Sequence, residues 1–216
     1  MEVCTGLAAR TMKCELNVLS KADGSAILSQ GNTVVLAALY GPLEVKHQKV
    51  QNDAIPVFVT YRSKSGKQGV YDKTIESIIQ SSCEALIFAK SFCRHEISIM
   101  IQEMQDSGSM LAAAINAACL AVINSGLEMS CLVAAVTCAV DEGNNFILDP
   151  DKKVTETAKI VITLGFENVK YNIVAAHVEG ECSLEIYEKA VLICKSAVQN
   201  LFDYYKSIVK KYASTL

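Results

Sequence analysis

The sequence predicts one α+β domain over residues 1–216, in which mixed and antiparallel sheets are covered by helices. Hydrophobic residues make up 51% of the chain, which is enough for a sizeable core. The predicted elements run as four strands and a helix, a strand and a helix, then four strands and a helix. Because the two strand-rich blocks share one element order, we expect a duplicated strand–strand–helix organisation. No Pro/Ser-rich linker divides the blocks.

The first block is predicted from alternation, turn residues and one apolar helix face. An Asp-Gly turn at residues 21–24 is typical of a hairpin, and Gly41-Pro42 is expected to end the third strand. The predicted strands are residues 12–19, 25–30, 33–40 and 54–61. The helix at 74–90 is predicted because Ile75, Ile79 and Leu86 share a face.

The remaining elements follow the same logic. A strand at 96–104 leads into a helix at 109–125, which we expect to be buried because it consists almost wholly of small and apolar residues; Gly126 ends it. The second block is predicted as strands at 131–140, 146–148, 159–164 and 169–178. A long amphipathic helix at 183–212 closes the chain.

Composition excludes several classes of function. The formal net charge of −3 argues against binding nucleic acid by bulk charge alone. Nine cysteines occur without a C-x-x-C pair and mostly inside apolar runs, which is typical of a reduced intracellular protein. The three histidines are far apart, so no metal site is predicted. Neither a signal peptide nor an apolar run long enough to span a membrane is visible.

A Ser/Gly turn at residues 106–109 precedes the small-residue helix. A helix start of this kind presents free backbone N–H groups and the positive end of the helix dipole, which suits a phosphate. No Arg or Lys lies in the turn, and Met110 stands where a cation would complete an anion site. The sequence therefore predicts a phosphate cradle without its clamping cation.

Three segments, in this order and spacing, together resemble the RNase PH family. They are residues 22–42, residues 106–126, and residues 148–151 after an acidic hairpin. The resemblance covers nearly the whole chain, and it implies the RNase PH-like fold. It also implies a reaction, in which inorganic phosphate removes nucleotides from RNA 3′ ends and releases nucleoside diphosphates.

The resemblance further implies which residues belong to the reaction pocket. Ser109 keeps the family residue, but Met110 replaces an Arg at the start of the helix. Lys73 matches another family Arg, and it keeps the charge but loses the bidentate guanidinium fork. Removing one well-placed electrostatic donor typically costs about 10²–10³ in rate.

The acidic part of the pocket also departs from the family pattern. Asp149 matches the first family carboxylate, and the second falls at Thr155. Glu156 would take that place after a one-residue register shift. With the Arg and a carboxylate both missing, we expect no intact catalytic site.

The resemblance thus implies a non-catalytic structural subunit of the RNA exosome. Its partners would be other RNase PH-like subunits in a six-membered ring, RNA-binding cap subunits, and single-stranded RNA passing through the ring channel. Such a subunit supports 3′-to-5′ RNA processing and degradation, including ribosomal RNA maturation, in the nucleus, nucleolus and cytoplasm. No cofactor or membrane is expected, and a homodimer of the isolated chain stays open.

A residual nuclease is the alternative. Ser109, Lys73, Asp149 and Asp151 would then hold inorganic phosphate and Mg²⁺ for slow phosphorolysis, or for metal-dependent hydrolysis of RNA or DNA. In the competing interpretation, Asp149 and Asp151 merely end a strand at a Pro-containing turn.

A basic loop is the candidate for RNA contact. It contains Arg62, Lys64, Lys67 and Lys73, with a tyrosine at each end. Such a loop can follow a single strand by phosphate contacts and stacking, whether in a ring or in a stand-alone homo-oligomeric RNA binder. A solvated surface loop has the same composition.

Overall fold

The computed structural model describes residues 10–44, 56–66, 68–87 and 95–213. Its strands are β1 Met12–Leu16, β2 Gly24–Gln30, β3 Thr33–Glu44, β4 Val57–Arg62, β5 His95–Gln105, β6 Val133–Val140, β7 Phe146–Leu148, β8 Ile160–Glu167 and β9 Ile173–Glu179. Its helices are α1 Val70–Leu86, α2 Met110–Ser125, α3 Lys152–Thr157 and α4 Leu184–Ala213.

Two sheets are formed by the residues that the structure describes. The first has the strand order β1-β2-β3-β5-β4, in which only the β4–β5 pair is parallel. The second has the order β7-β6-β8-β9 and is antiparallel throughout. The predicted α+β class with mixed and antiparallel sheets covered by helices is therefore confirmed.

Helix α2 lies between the two sheets. It contacts β2 and β3 of the first sheet and β6 and β8 of the second, and every residue from Leu111 to Val122 is buried. Small side chains are required because the backbones approach closely: a Cβ at Gly24 of β2 would overlap the carbonyl oxygen of Ala121. The expected burial of this helix is confirmed. Helix α1 packs on β4 and α4 packs on β6.

One buried amide joins α2 to its neighbours. Asn116 accepts a hydrogen bond from the Ala135 backbone N–H (2.7 Å) and donates to the Ala135 carbonyl oxygen (2.9 Å). Its side-chain oxygen also accepts from the Tyr205 hydroxyl on α4 (2.9 Å). Because all polar atoms of this side chain are paired, it is tolerated in an otherwise apolar layer.

Several element boundaries differ from the sequence prediction; among them, β1 ends at Leu16 rather than at residue 19, and β8 continues to Glu167 rather than ending at residue 164. Strand β3 continues through Gly41-Pro42, because Leu43 and Glu44 pair with β5 beyond an irregularity in register. Helix α1 begins at Val70 rather than at residue 74, and the preceding Gly69 N–H donates to Asp72 Oδ2 (2.8 Å). Strand β9 begins at Ile173 rather than at residue 169.

Helix α3 was not expected from the sequence. It has six residues and none of them is buried, so it carries no apolar periodicity by which to recognise it. In the described part of the chain, no helix combines the length and the hydropathy needed to cross a membrane.

Candidate functional site

The Ser/Gly turn lies against the segment that links β7 to α3. Gly108 has φ 103°, and a Cβ there would lie 2.5 Å from the Pro150 carbonyl oxygen and 2.6 Å from the Lys152 nitrogen. The Lys152 N–H donates to the Ser107 carbonyl oxygen (3.0 Å). Only glycine permits this close approach, so two turns distant in sequence form one packed unit.

The Ser109 hydroxyl is already hydrogen-bonded. Ser109 is buried, has φ 55° and donates from Oγ to the Pro150 carbonyl oxygen (3.1 Å). Ser109 precedes α2 as its N-cap but makes no side-chain capping bond. In this state the hydroxyl holds the two turns together rather than pointing a free donor at an anion.

Arg10 is the centre of the same unit. Its Nη2 and Nε donate to Asp149 Oδ1 (2.6 Å) and Oδ2 (2.9 Å), and its backbone N–H also donates to Oδ2 (3.1 Å). Further bonds run from the guanidinium to the carbonyl oxygens of Ser107 (3.2 Å) and Gly108 (3.2 Å) and to Asp151 Oδ1 (3.1 Å). This arrangement is a bidentate pair of the strong, charge-assisted kind.

The electrostatics of Asp149 follow from this contact. Burial by itself would raise the pKa of Asp149, but hydrogen bonds from Arg10 and Gln30 and the Arg10 charge outweigh burial and lower it. Asp149 is therefore ionised at neutral pH, with Arg10 as its counter-ion.

Asp149 and Asp151 do not fit a Mg²⁺ site in this structure. Mg²⁺ needs free carboxylate oxygens in near-octahedral geometry, whereas the Arg10 guanidinium already bonds to both side chains. The positive charge that a metal would supply comes from the protein itself. We derive no metal-dependent step through these two residues.

A cleft of about 290 Å³ opens beside the Ser/Gly turn. Gly108, Ser109 and Met110 lie on one side, and Thr155 and Glu156 lie on another. Among the described residues, five carboxylates line it, those of Asp72, Glu103, Asp106, Glu156 and Glu179.

Charge in the cleft is predominantly negative. In the part of the lining that the structure describes, the one Lys or Arg is Lys152, and its Nζ pairs with Asp106 Oδ2 (2.8 Å). Burial would raise the pKa of Asp106, but bonds from Lys152 and the Gly108 N–H lower it. A phosphate dianion would enter a site of like charge with no arginine among its described lining residues, and this is unfavourable.

Two of the carboxylates that line the cleft accept hydrogen bonds from tyrosine hydroxyls. Tyr61 donates to Glu103 Oε2 (3.2 Å), and Tyr71 donates to Glu179 Oε1 (2.8 Å), which His177 Nε2 also contacts (3.0 Å). Burial, the hydrogen bond to Glu179 and its charge raise the pKa of Tyr71 to about 12. These hydroxyls are thus neutral donors at physiological pH.

The structure separates the residues of the predicted pocket. Ser109, Met110 and Thr155 line the cleft, as does Glu156 beside Thr155. The Thr155 hydroxyl donates to the Asp151 carbonyl oxygen (3.1 Å). Asp149 lies outside the cleft lining in its pair with Arg10.

The basic residues of the predicted RNA path are likewise spread out. Lys73 is exposed on α1 and is not part of the cleft lining. Arg62 is exposed at the end of β4 and borders a groove on the outer face of the first sheet, and Lys64 is exposed in the following loop. Lys67 lies outside the described residues.

Sequence reasoning missed Arg10 and Lys152. Arg10 lies ahead of the first strand, and a contact across 139 residues leaves no periodic signal. Lys152 sits in a short exposed helix among other charged residues, where its pairing with Asp106 depends on the meeting of two turns. The Asp106 side chain was the signal that could have indicated such a pairing. An acidic residue beside a predicted anion site needs a cationic partner, and here that partner is Lys152.

The two-sheet fold around a buried small-residue helix, with a Ser/Gly turn at the mouth of a cleft, defines an RNase PH-like protein. Residues 8–128 match the family model described as "3′ exoribonuclease family, domain 1". The chain belongs to the RNase PH family of 3′ exoribonucleases.

Close relatives cover almost the entire chain. The exosome complex exonuclease RRP46 homolog of Arabidopsis thaliana is 31% identical over 95% of this chain and 93% of its own length. The exosome complex component RRP46 homolog of Caenorhabditis elegans is 29% identical, with 95% and 96% covered. The crystal structure of rice (Oryza sativa) Rrp46 superposes with a TM-score of 0.88 at 27% identity, with 94% of this chain and 96% of that chain covered.

Proposed function

We propose that this chain is a non-catalytic structural subunit of the RNA exosome ring, where it supports 3′-to-5′ RNA processing and degradation. The observation that carries the proposal is an intact RNase PH-like fold around a cleft whose described lining contains no arginine and whose one lysine, Lys152, is paired with Asp106. Met110 stands where the family resemblance implies a guanidinium, five carboxylates are among the described lining residues, and Ser109 is bonded to Pro150.

Relatives support the ring assignment. The full-length matches from a plant and a nematode are named as exosome complex proteins, and the match extends over at least 93% of each of them. A chain that keeps the whole fold without the pocket chemistry suits a role in assembly. Its partners would be other RNase PH-like subunits and RNA-binding cap subunits, and its locations the nucleus, nucleolus and cytoplasm.

RNA contact is assigned to the basic loop rather than to the cleft. Arg62 and Lys64 are exposed at the end of β4 and in the adjoining loop, so their cationic groups are accessible to the phosphates of a single strand. The acidic cleft would repel those phosphates. RNA would therefore pass along the loop without entering the degenerate pocket.

Assembly is the direct test. The chain is tagged at its carboxyl end, purified from cells of its source, and weighed by native mass spectrometry. We expect a complex in which this chain accompanies other RNase PH-like chains in a six-membered ring. Recovery of the chain alone, or only with further copies of itself, would contradict the proposal.

A further inference from the structure

An exposed turn projects from the end of β4. The Ser63 carbonyl oxygen accepts from the Gly66 N–H (3.0 Å), which closes a four-residue turn. The base of the turn is held in place, because the Arg62 carbonyl oxygen accepts from Gln102 Nε2 on β5 (3.4 Å). At its tip, a Cβ on Gly66 would meet no described atom within 4 Å. The tip of the turn therefore faces open space.

Ser65 lies at this tip and is exposed. Within the described part of the chain, its hydroxyl contacts one group, the Ser63 hydroxyl (3.1 Å). Because this contact joins two hydroxyls of the same turn, a group added to Ser65 Oγ would displace no contact with the core. Exposed loop tips are also the segments that proteases reach most readily. The Ser65 hydroxyl is thus accessible to the active site of a modifying enzyme.

Basic residues precede Ser65. Arg62 lies three residues before it and Lys64 immediately before it, and both side chains are exposed. No carboxylate occurs among the described residues 62–66. An enzyme that binds this turn is therefore favoured when its own surface is acidic. Among enzymes that act on a serine hydroxyl, kinases select their substrates by such patterns of charge.

Other exposed hydroxyls that follow a lysine are placed differently. Ser196 and Ser207 lie within α4 and donate from Oγ to helix carbonyl oxygens (2.7 Å and 2.6 Å). Thr155, on α3, follows two lysines and donates in the same way to the Asp151 carbonyl oxygen (3.1 Å). An enzyme could act on these residues only after the helix opens, which costs free energy. The turn that carries Ser65 needs no such opening.

We propose that Ser65 is a phosphorylation site for a serine/threonine kinase that recognises basic residues before its target, and that the phosphate weakens RNA contact at the basic loop. In the reaction, Ser65 Oγ attacks the γ-phosphorus of ATP and its proton passes to the kinase. The bond from that phosphorus to the β–γ bridging oxygen breaks, and ADP leaves. This inference rests on the proposed function, because the regulated contact is the one assigned to Arg62 and Lys64.

The effect on RNA follows from charge. Phosphoserine carries about −1.5 to −2 at neutral pH. Residues 62–66 carry two positive charges, on Arg62 and Lys64, so the phosphate brings the net charge of the turn close to zero. Its oxygens also accept charge-assisted hydrogen bonds from neighbouring guanidinium and ammonium groups, in competition with RNA. The phosphorylated loop therefore attracts a single strand less strongly.

A phosphorylation assay tests the site. The purified full chain is incubated with ATP and a kinase that selects arginine three residues before serine, and mass spectrometry locates the phosphate. We expect phosphate on Ser65, incorporation lost in Ser65→Ala, and incorporation unchanged in Ser207→Ala. The second variant is the matched control, since Ser207 is also exposed and follows a lysine. Absence of phosphate from Ser65, or undiminished incorporation in Ser65→Ala, would overturn the proposal.

RNA binding tests the consequence. The chain with phosphoserine at residue 65 is compared with the unmodified chain by fluorescence anisotropy on single-stranded RNA. We expect the affinity to fall about tenfold at about 50 mM salt, and the slope of log affinity against log salt concentration to become shallower by about 1.4. Ser65→Asp should weaken binding in the same direction, whereas Ser207→Asp, which adds the same charge on α4, should bind as the unmodified chain does.

The outcomes separate this inference from the proposed function. If the phosphorylated and unmodified chains bind RNA equally, while Arg62→Ala/Lys64→Ala binds more weakly, the regulation is wrong and the RNA contact stands. If the unmodified chain binds RNA no more strongly than Arg62→Ala/Lys64→Ala, the RNA contact assigned under the proposed function fails, and the inference fails with it.

Discussion

Arg10 and Asp149, which lie 139 residues apart in sequence, form a bidentate ion pair beside the Ser/Gly turn. The Asp149 side chain is 1% exposed and that of Arg10 is 16% exposed. The pair joins the start of the chain to the link between β7 and α3. Its position explains why a carboxylate that resembles a catalytic residue has a structural role.

Loss of this pair should destabilise the protein. Asp149→Asn leaves the Arg10 guanidinium without its main partner, and we expect the free energy of unfolding to fall by about 3 kcal/mol. Asp151→Asn is the control, because the Asp151 side chain is 68% exposed and its contact with Arg10 is weakly stabilising. Urea unfolding followed by circular dichroism measures both. Equal stability of the two variants would show that the buried pair contributes nothing.

The pair also predicts a dependence of stability on pH. The pKa of Asp149 in the folded state is lowered, since the bonds from Arg10 and Gln30 outweigh burial. Such a group stabilises the fold above the unfolded pKa of about 4, and the contribution is lost as pH falls through the folded pKa. We expect the free energy of unfolding to decline below about pH 4, and to decline less steeply in Asp149→Asn. Parallel curves for wild type and variant would be inconsistent with this role.

Glycine at position 108 is a second requirement of the packed turns. Gly108→Ala forces a Cβ against the Pro150 carbonyl oxygen at φ 103°, and we expect a loss of about 3 kcal/mol in unfolding free energy. Gly126→Ala is matched in positive φ (72°) but meets no atom within 4 Å, so its cost should be only about 1 kcal/mol. Thermal and urea unfolding compare them. A larger effect at Gly126 than at Gly108 would refute the close approach.

Local patterns predicted most of the fold. The helix predicted at residues 109–125 was recognisable from its run of small and apolar residues; it begins at Met110, and Gly126, with positive φ, follows its last residue as expected. The alternating and apolar runs predicted the strands. A predicted boundary was wrong where strand pairing outweighed a turn signal in the sequence. Strand β3 runs through Gly41-Pro42 because its last residues pair with β5.

The candidate site was only partly predictable. Ser109, Met110 and Thr155 reach one cleft, as the family pattern implies, because each follows a recognisable segment. The bonding of Asp149 to Arg10 and the gathering of carboxylates around the cleft depend on contacts between distant turns. No periodicity in the sequence reports such contacts.

The proposed role of the basic loop predicts how the affinity for RNA depends on salt concentration. If Arg62 and Lys64 each contact one phosphate, the double variant Arg62→Ala/Lys64→Ala should bind single-stranded RNA more weakly. The slope of log affinity against log salt concentration should become shallower by about 1.4. The control is Lys189→Ala/Lys210→Ala on α4, which removes the same charge elsewhere. Fluorescence anisotropy over a range of salt concentrations measures both. Equal slopes in the two double variants would show that Arg62 and Lys64 do not contact the RNA phosphates.

The central claim is that the fold is kept while phosphorolysis is lost. The most direct measurement is an RNA degradation assay. The purified chain is incubated with 5′-labelled single-stranded RNA and Mg²⁺, with and without inorganic phosphate, and the Thr155→Ala and Glu156→Gln variants are assayed in parallel. We predict no release of nucleoside diphosphates under any condition, because no arginine is among the described residues that line the cleft and its negative charge repels phosphate. Phosphate-dependent release by the wild type, diminished in either variant, would contradict the account and establish the chain as an active nuclease.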